Sequence, residues 1–468
     1  MKKYLINFEE GVPKYVQIAK HIKRLIDKGK ILNEEKLPPI RSLAKVLEVN
    51  NVTIVNAYKK LQDEGYARQK MGSGTYAKKK ENTLSFKREY SHTFKRLNSK
   101  TMKEIIDFAG ETASSTYFPV EDFKKVLNDV IDRDGAEALT YQEALGDEGL
   151  RKIIYGSFWG KDIDFNDILI VSGAQQGIDI VSKALININD DVIVEKPTYG
   201  GALSVFNGRR ANIYEIPMEK DGIDLWELEK ILMKNNVKVL YTMSYFQNPT
   251  GGTYSLEKKL RILELADMYD FYIVEDDYLS ELIFDKDITY KSFKSLDKND
   301  RVIYIKSFSK IFLPGIRIGY MISPRKFRES IQNCKVNTDI ATSSLMQRAL
   351  SLYIEEGFWK KHILFLNKEY SARYNYMEQY LKEKFKDKVD FLSPGGGLNF
   401  FIHLNDSVRM DSTELFYRAR DKKVLITPGV IFYKNFRDGL RYFRIGYSQT
   451  SIEKIKEGLD ILYNLMEE

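Results

Sequence analysis

The sequence predicts an α/β protein that carries a small, basic, mostly helical head at its N-terminus. From about residue 105, short apolar segments alternate with amphipathic ones, which is the pattern of a mainly parallel sheet covered by helices. Before that point, residues 1–77 combine helical apolar spacing with glycine-containing turns. The two parts also differ in the sign of their charge, so we treat them as separate domains.

Charge is divided unevenly along the 468 residues. The formal net charge is +7, but residues 1–100 hold 23 Lys and Arg against 10 Asp and Glu, and the remainder is mildly acidic. A basic head indicates contact with a polyanion, either nucleic acid or a membrane surface, and the alternative is a solvated charged face. The single cysteine, Cys334, excludes an internal disulfide and a cysteine-based metal site. With four scattered histidines and no apolar run of membrane-spanning length, we expect a cytoplasmic protein without a metal.

The head contains three predicted helices and a hairpin. The first is predicted from apolar residues at helical spacing, which would form one buried stripe: Tyr15, Ile18, Ala19, Ile22, Leu25 and Ile26. Pro39 suits the first turn of a second helix, which runs to about Leu47, and Asn50 can cap a third helix over residues 51–64. On the third helix we expect Ile54, Ala57, Tyr58 and Leu61 to face inward. Residues 66–77 predict a hairpin with Gly72 and Gly74 at its tip. This order of elements is that of a winged helix-turn-helix that binds DNA, and the alternative is a small helical domain without DNA contact.

Several stretches of the head resemble the DNA-binding domain of GntR-type transcription regulators: KYVQIAKHIKRLIDKGK, LPPIRSLAKVLEV, TIVNAYKKLQDEGY and GSGTY. The resemblance implies that residues 1–77 bind double-stranded operator DNA. It places Arg41 of the second helix, Thr53 of the third helix, and Gly72 and Gly74 of the wing at the DNA. Asn51 and Asn56 of the third helix and Ser73 of the wing are further candidates, because they are polar residues of the same two elements. Asn51 stands where relatives usually carry an arginine, so the operator sequence is not predicted.

Residues 78–104 form a basic segment with little periodicity, which predicts an exposed linker. Whether this linker also contacts DNA or packs on the body is left open.

In a parallel sheet, ligands bind beyond the carboxyl ends of the strands, so the residues that follow each apolar strand are informative. The predicted strands 168–171, 192–195, 237–243, 271–274 and 302–306 are followed by SGAQQ, KPTYGG, the NPTG turn, EDDY and SFSK with PGIR. Each motif alone has an ordinary interpretation as a turn, a core tyrosine or a solvated cap. Taken in order, they supply a phosphate-binding helix start, an aromatic ring, an Asn, an Asp and a Lys. Pyridoxal 5′-phosphate (PLP) requires this set, with the lysine forming a Schiff base and the Asp keeping the pyridine nitrogen protonated.

The body, residues 105–468, resembles fold-type I PLP-dependent enzymes of the aspartate aminotransferase class, with a large domain to about 330 and a small domain over about 331–468. The resemblance implies that Lys310 carries PLP, Asp276 pairs with its ring nitrogen, and Tyr278 and Asn248 approach its hydroxyl. Around the phosphate and ring it places Ala174, Gln175, Ser307, Ser309, Arg317, Tyr199 and, from the partner subunit, Tyr141. It assigns Arg444 to the α-carboxylate of a substrate, which a guanidinium can bind bidentately.

A GntR-like head on an aminotransferase-like body resembles the MocR type of bacterial regulator. The resemblance implies a homodimeric, PLP-binding transcription regulator whose body senses PLP or an amino-acid-like effector. Many members carry an aromatic residue before the proline of the PTG turn, whereas this chain has Asn248, as aminotransferases do. An active aminotransferase with an accessory head therefore stays open. A purely structural fusion explains neither the charge division nor the ordered motifs.

Overall fold

The computed structural model describes residues 2–6, 8, 11–27, 30–32, 34–63, 66–70, 73–78, 86, 90–91, 105–160 and 163–468. The chain divides into two compact units, Met1–Phe94 and Lys95–Glu468. Most of the predicted linker, 78–104, lies outside the described residues, and the domain boundaries given above remain predictions. Within the described ranges, no helix combines the length and apolar content needed to cross a membrane.

The head consists of helices followed by a hairpin, in the predicted order. The elements are α1 (Lys14–Asp27), α2 (Ile40–Val46), α3 (Asn51–Asp63), β1 (Ala67–Lys70) and β2 (Gly74–Ala77). Asn50 caps α3 as predicted, because its side-chain oxygen accepts the N–H of Val52 at 3.0 Å. The predicted inward-facing side chains, Ile18, Ile22, Ile54 and Leu61 among them, are buried together. The prediction for Tyr15 is wrong: its side chain is 36% exposed, since it lies in the first turn of α1, ahead of the buried residues.

Helices and strands alternate through the body, as the sequence predicts. The strands of the main sheet are β4 (Ile168–Val171), β5 (Asp191–Lys196), β6 (Asn212–Glu219), β7 (Gly222–Ile223), β8 (Val237–Thr242), β9 (Tyr272–Asp277), β10 (Val302–Ser307) and β11 (Gly319–Ile322). The helices are α4 (Val120–Asp134), α5 (Glu148–Ile154), α6 (Ala174–Leu185), α7 (Gly200–Gly208), α8 (Leu225–Leu232), α9 (Leu256–Met268), α10 (Phe293–Leu296), α11 (Arg328–Thr338), α12 (Ser344–Glu355), α13 (Phe358–Lys384), α14 (Ser412–Asp421) and α15 (Ile452–Glu467).

The main sheet brings the predicted strand ends to one edge. Its order is β4-β11-β10-β9-β8-β5-β6-β7, and the strands from β10 to β6 run parallel to one another. β11 is antiparallel to both β10 and β4, so β4 points in the same direction as the parallel strands. The carboxyl ends of β4, β5, β8, β9 and β10 therefore open on the same side of the sheet.

A second, antiparallel sheet lies later in the chain. It contains β12 (Val389–Phe391), β13 (Asn399–Leu404), β16 (Tyr442–Gly446) and β15 (Thr427–Pro428), in that order. The first strand of the body, β3 (Ile106–Asp107), does not join the main sheet but pairs in parallel with β14 (Val424–Leu425). This pairing fixes the start of residues 108–114, which contribute to the site described below.

The end of β9 differs from the prediction. The sequence predicts a strand that stops at Val274 and is followed by carboxylates, but β9 continues through Asp277. Glu275, Asp276 and Asp277 pair with Tyr304, Ile305 and Lys306 of β10, and all three carboxylates are buried. Because they lie inside the sheet, they cannot be a solvated cap and each one needs its own electrostatic partner.

We expect Gly319→Ala to lower the free energy of unfolding by about 2 kcal/mol or more, because overpacking against fixed backbone is costly. A Cβ at this position would lie 2.5 Å from the carbonyl oxygen of Lys306 on the neighbouring strand. Urea unfolding of the full chain measures the effect. Gly315→Ala, in the same PGIRIGY segment, is the matched control, since nothing lies within 4 Å of its added Cβ. Equal stability of the two variants would contradict the close approach of β10 and β11.

Candidate functional site

The head presents the residues predicted to meet DNA at its surface. Arg41, Asn51 and Asn56 are exposed, Thr53 is half-buried, and Ser73 and Gly74 are exposed at the hairpin turn. Gly72 lies outside the described residues. The exposed side of α3 therefore carries the polar side chains that a major-groove helix needs.

Two further residues of α3 belong to this surface and were not predicted. Val52 is 61% exposed and Val55 is 45% exposed, on the same helix as Asn51 and Asn56. Apolar side chains in the major groove contact the methyl group of thymine, so exposed valines suit such a surface. The sequence could have indicated these two valines, because neither occupies an inward-facing position of α3 such as Ile54 or Tyr58.

In the body, the predicted motifs meet in one cleft at the carboxyl edge of the main sheet. The cleft is lined by Ala174, Tyr199, Met243, Asn248, Asp276, Tyr278, Ser307 and Lys310. Each of these residues follows, or ends, one of the strands β4, β5, β8, β9 and β10. The structure thus brings together residues that are up to 136 positions apart in the sequence.

Asp276 is the most unusual group in the cleft. It is 3% exposed, and its Oδ2 accepts a hydrogen bond from the hydroxyl of Tyr241 at 2.7 Å. Its Oδ1 has no hydrogen-bond partner among the described residues. Burial raises the pKa of Asp276 to about 6. A buried acceptor without a donor is costly, so this oxygen is an open position for a ligand that carries an N–H group.

The neighbouring Asp277 points to the other face of β9 and is fully paired. Its Oδ1 accepts from Lys306 Nζ at 2.9 Å, and its Oδ2 accepts from the hydroxyls of Tyr290 and Tyr304 at 2.6 and 2.7 Å. Burial alone would raise the pKa of Asp277, but Lys306 and these hydroxyls outweigh it and hold the pKa below its ordinary value. The alternation of side chains along a strand thus separates two adjacent carboxylates into different environments.

The turn that carries Asn248 is held by a buried carboxylate that the sequence did not single out. Glu195, at the end of β5, accepts hydrogen bonds from Gln247 Nε2 at 2.8 Å and from the hydroxyls of Thr242 and Tyr254 at 2.7 and 2.9 Å. The side-chain oxygen of Gln247 in turn accepts the N–H of Thr250 at 3.0 Å. Glu195 therefore fixes the position of Asn248 relative to the strand that precedes Tyr199.

Donors gather at the opposite end of the cleft, around the start of α6. Arg317 donates to Ser309 Oγ at 3.2 Å and to the carbonyl of Ser172 at 2.8 Å, and Ser307 Oγ accepts the N–H of Ser309 at 3.2 Å. Gly173 precedes α6 with φ 96°, and a Cβ there would lie 2.6 Å from the guanidinium of Arg317. The helix start, the arginine and the hydroxyls together form a region suited to an anion.

The predicted tyrosines have distinct surroundings. Tyr199 lines the cleft, and its hydroxyl donates to Gln175 Oε1 at 3.2 Å. Tyr278 also lines the cleft, but its hydroxyl donates to the backbone carbonyl of Phe246 at 2.6 Å. Tyr141 is 85% exposed and is absent from the described lining of the cleft.

Arg444 lies beside the cleft and is 2% exposed. It donates from Nη1 to Asn248 Oδ1 at 2.7 Å and forms an ion pair with Glu111. The same carboxylate pairs with Lys310, whose Nζ lies 2.6 Å from Glu111 Oε2. Glu111 therefore bridges Lys310 and Arg444, and no sequence motif indicated it.

A comparison with protein families agrees with this geometry. Residues 109–462, which hold the whole cleft, match the family described as aminotransferase class I and II. The chain belongs to the aminotransferase class I and II family. Residues 14–77 match the bacterial regulatory proteins of the gntR family. The aminotransferase-family body is therefore joined to a GntR helix-turn-helix domain, which is the MocR-type architecture, and the fold predicted from the sequence is confirmed.

Individual relatives include both aminotransferases and transcription regulators. Aromatic-amino-acid aminotransferase 1 of Thermococcus litoralis is 32% identical over 78% of this chain and 88% of its own length. The uncharacterised HTH-type transcriptional regulator YdfD of Bacillus subtilis is 29% identical over 96% of this chain and 95% of its own. The solved structure of Pyrococcus horikoshii kynurenine aminotransferase in complex with PMP has a TM-score of 0.75 and 33% identity, and the match covers 81% of this chain and 94% of that one.

Asp276→Asn should remove part of the pH dependence of folding in the ligand-free protein. The pKa of about 6 in the folded state lies above the ordinary value of 3.8, so the stabilisation is complete below pH 3.8 and is lost as the pH rises through 6. Between about pH 5 and pH 7 the free energy of unfolding of the wild type should fall by about 1 kcal/mol more than that of the variant. Urea unfolding across this range measures the difference.

Asp277→Asn is the matched comparison, and we expect it to lower the free energy of unfolding. It leaves the buried ammonium of Lys306 paired with Glu281 at 2.8 Å but without Asp277, and breaking a buried pair costs up to about 3–5 kcal/mol. Stabilisation by Asp277→Asn, or an unchanged pH dependence in Asp276→Asn, would contradict the environments assigned to the two carboxylates.

Proposed function

We propose that this protein is a PLP-binding, sequence-specific transcription regulator whose aminotransferase-like body senses PLP or a PLP-reactive amino compound. The observation that carries the proposal is the cleft in which Lys310 lies near a buried, half-satisfied Asp276, in a chain that also has a GntR domain. Binding to DNA further implies a cytoplasmic location.

The cleft residues fit PLP. The Oδ1 of Asp276, which has no partner among the residues that the structure describes, offers an acceptor to a protonated pyridine nitrogen, and such a charge-assisted bond is favoured in a buried site. At the other end, Arg317, the hydroxyls of Ser307 and Ser309, and the start of α6 offer donors to a phosphate. The relative from Pyrococcus horikoshii, solved in complex with PMP, supports the same assignment.

The chain's own residues have separate roles in this proposal. When bound, PLP supplies an electron sink for chemistry at the carbon next to an amine. Lys310 provides the amino group for covalent attachment, and Tyr241 orients Asp276 through its hydroxyl. Glu195 and Gln247 hold the turn of Asn248, and Tyr199 covers the ligand from the side of α7.

Regulation requires that the ligand bind two arrangements of the protein with different affinity. We propose a homodimer, since two GntR heads would match two half-sites of an operator. The exposure of Tyr141 outside its own cleft supports a role at the partner's site. An amino-acid-like effector that replaces Lys310, or PLP occupancy itself, would then change DNA binding.

An active aminotransferase with an accessory head is the second candidate function. Asn248 favours it, because it lines the cleft and aminotransferases also have Asn at this position, and the Thermococcus litoralis relative carries that activity in its name. If the protein transfers an amino group to a keto acid over multiple turnovers and Lys310→Ala abolishes the transfer, the protein is an active aminotransferase.

The purified protein is expected to bind PLP and to acquire a visible absorbance band that Lys310→Ala removes. Borohydride reduction followed by peptide mass spectrometry should place the cofactor on the peptide that contains Lys310. Lys298→Ala, at an exposed lysine, is the control and should keep the band. A wild type without bound PLP, or attachment at another lysine, would contradict the site.

Duplex DNA from the region upstream of the protein's own gene should be retarded by the protein, with an affinity that falls steeply as salt rises. Arg41→Ala should weaken binding several-fold and reduce the salt slope by about one, as expected for a lost phosphate contact. Arg24→Ala removes the same charge from an exposed position on α1 and should have a smaller effect. If no DNA is retarded at any PLP concentration, the regulator proposal is wrong.

A further inference from the structure

Glu111 occupies the position that a ligand carboxylate would need. Its Oε2 lies 2.6 Å from Lys310 Nζ, and its Oε1 forms an ion pair with Arg444. A carboxylate from the protein itself therefore contacts both the lysine that would carry the cofactor and the arginine assigned to a substrate's α-carboxylate. This contact restricts which ligands the cleft can accept.

The other N–H groups on the two terminal nitrogens of Arg444 also have acceptors. Nη1 also donates to Asn248 Oδ1 at 2.7 Å, and Nη2 donates to the carbonyl of Ala109 at 3.3 Å and to Thr427 Oγ1 at 3.4 Å. The guanidinium carbon lies 5.1 Å from the centre of the Phe432 ring, and the residue is 2% exposed. A bidentate grip on an incoming carboxylate requires two free N–H groups, and the terminal nitrogens of Arg444 already have acceptors.

Glu111 is held in place by its neighbours on both sides. The side chain of Asp107 accepts the N–H groups of Ala109 and Gly110 at 2.9 and 3.0 Å. On the far side, Gln449 Nε2 donates to the carbonyl of Thr112 at 2.6 Å, and the N–H of Ala113 donates to the carbonyl of Lys310 at 2.6 Å. The backbone that carries Glu111 is thus tied to the body before and after this residue.

The carboxylate is also ionised at neutral pH. Burial alone would raise the pKa of Glu111, but Arg444 and Lys310 outweigh it and hold the pKa well below its ordinary value. A second carboxylate brought beside the buried guanidinium of Arg444 would meet this negative charge at short range, and the two like charges would repel each other.

We propose that Glu111 is a specificity-determining residue that closes Arg444 to α-carboxylates, so that the cleft accepts primary amines without an α-carboxylate in preference to α-amino acids. This inference rests on the proposed function, since it assumes that the body takes a PLP-reactive amine. It adds the chemical class of that amine.

The first arm of the test compares ethylamine with L-alanine, which is ethylamine with a carboxylate in place of one α-hydrogen. Dissociation constants are measured on the PLP-loaded protein from the change in its visible absorbance. The wild type should bind ethylamine at least tenfold more tightly than L-alanine, and Glu111→Gln should reduce this preference at least tenfold. Glu111→Asp, which keeps the charge, should retain most of the preference.

The second arm uses propionate, a carboxylate without an amine, and the cofactor-free protein, with binding followed by calorimetry. The wild type should bind propionate at least tenfold more weakly than Glu111→Gln. Glu229→Gln is the matched control in both arms, because it breaks another Glu–Arg pair, with Arg261 at 2.9 Å, outside the cleft lining. It should leave every dissociation constant unchanged.

The outcomes separate this inference from the proposed function. If the wild type binds no PLP, the proposed function fails, and the propionate arm still tests the masking of Arg444. If the wild type binds PLP but takes L-alanine as tightly as ethylamine, the inference is wrong and the proposed function stands. That comparison needs the wild type alone, so the inference can be overturned even if Glu111→Gln does not fold.

Discussion

Asp276 lies in the middle of the main sheet, with one oxygen held by Tyr241 and the other without a donor in the part of the chain that the structure describes. A buried acceptor left in this state costs free energy, so the surrounding sheet must be stable enough to keep it there. The strands on either side of β9 are buried and paired along their length, which provides that stability. The remaining site residues are arranged around this one oxygen. It can accept a hydrogen bond from the N–H group of a ligand.

The other charged groups of the site are compensated by the protein itself. Asp277 is paired with Lys306 on the opposite face of β9, and Glu195 receives donors from the turn that holds Asn248. Glu111 neutralises Lys310 and Arg444 together. Because so many donors and acceptors are already matched, a ligand can gain affinity only where the matching is incomplete or where it displaces a protein group.

The head and the body divide the functions of the chain by charge and by architecture. The net charge of +7 conceals a strongly basic head and a mildly acidic body. The GntR match over 14–77 and the exposed polar face of α3 explain why the basic charge is concentrated there. In the body, an anion would be bound by local donors at the start of α6, so the acidic balance of that unit does not oppose it.

The sequence by itself determined the fold class, the order of the elements and the strand-end motifs, because apolar periodicity and turn residues are local signals. It placed Lys310, Asp276 and Asn248 correctly at one edge of the sheet, since parallel strands must end together. It did not find Glu111, Glu195 or Tyr241, because a lone Glu or Tyr carries no motif and acquires meaning only from the groups that folding brings to it. Only the tertiary structure decided that Asp276, among the described residues, keeps an oxygen without a donor while Asp277 does not, since that difference comes from which face of β9 each side chain occupies.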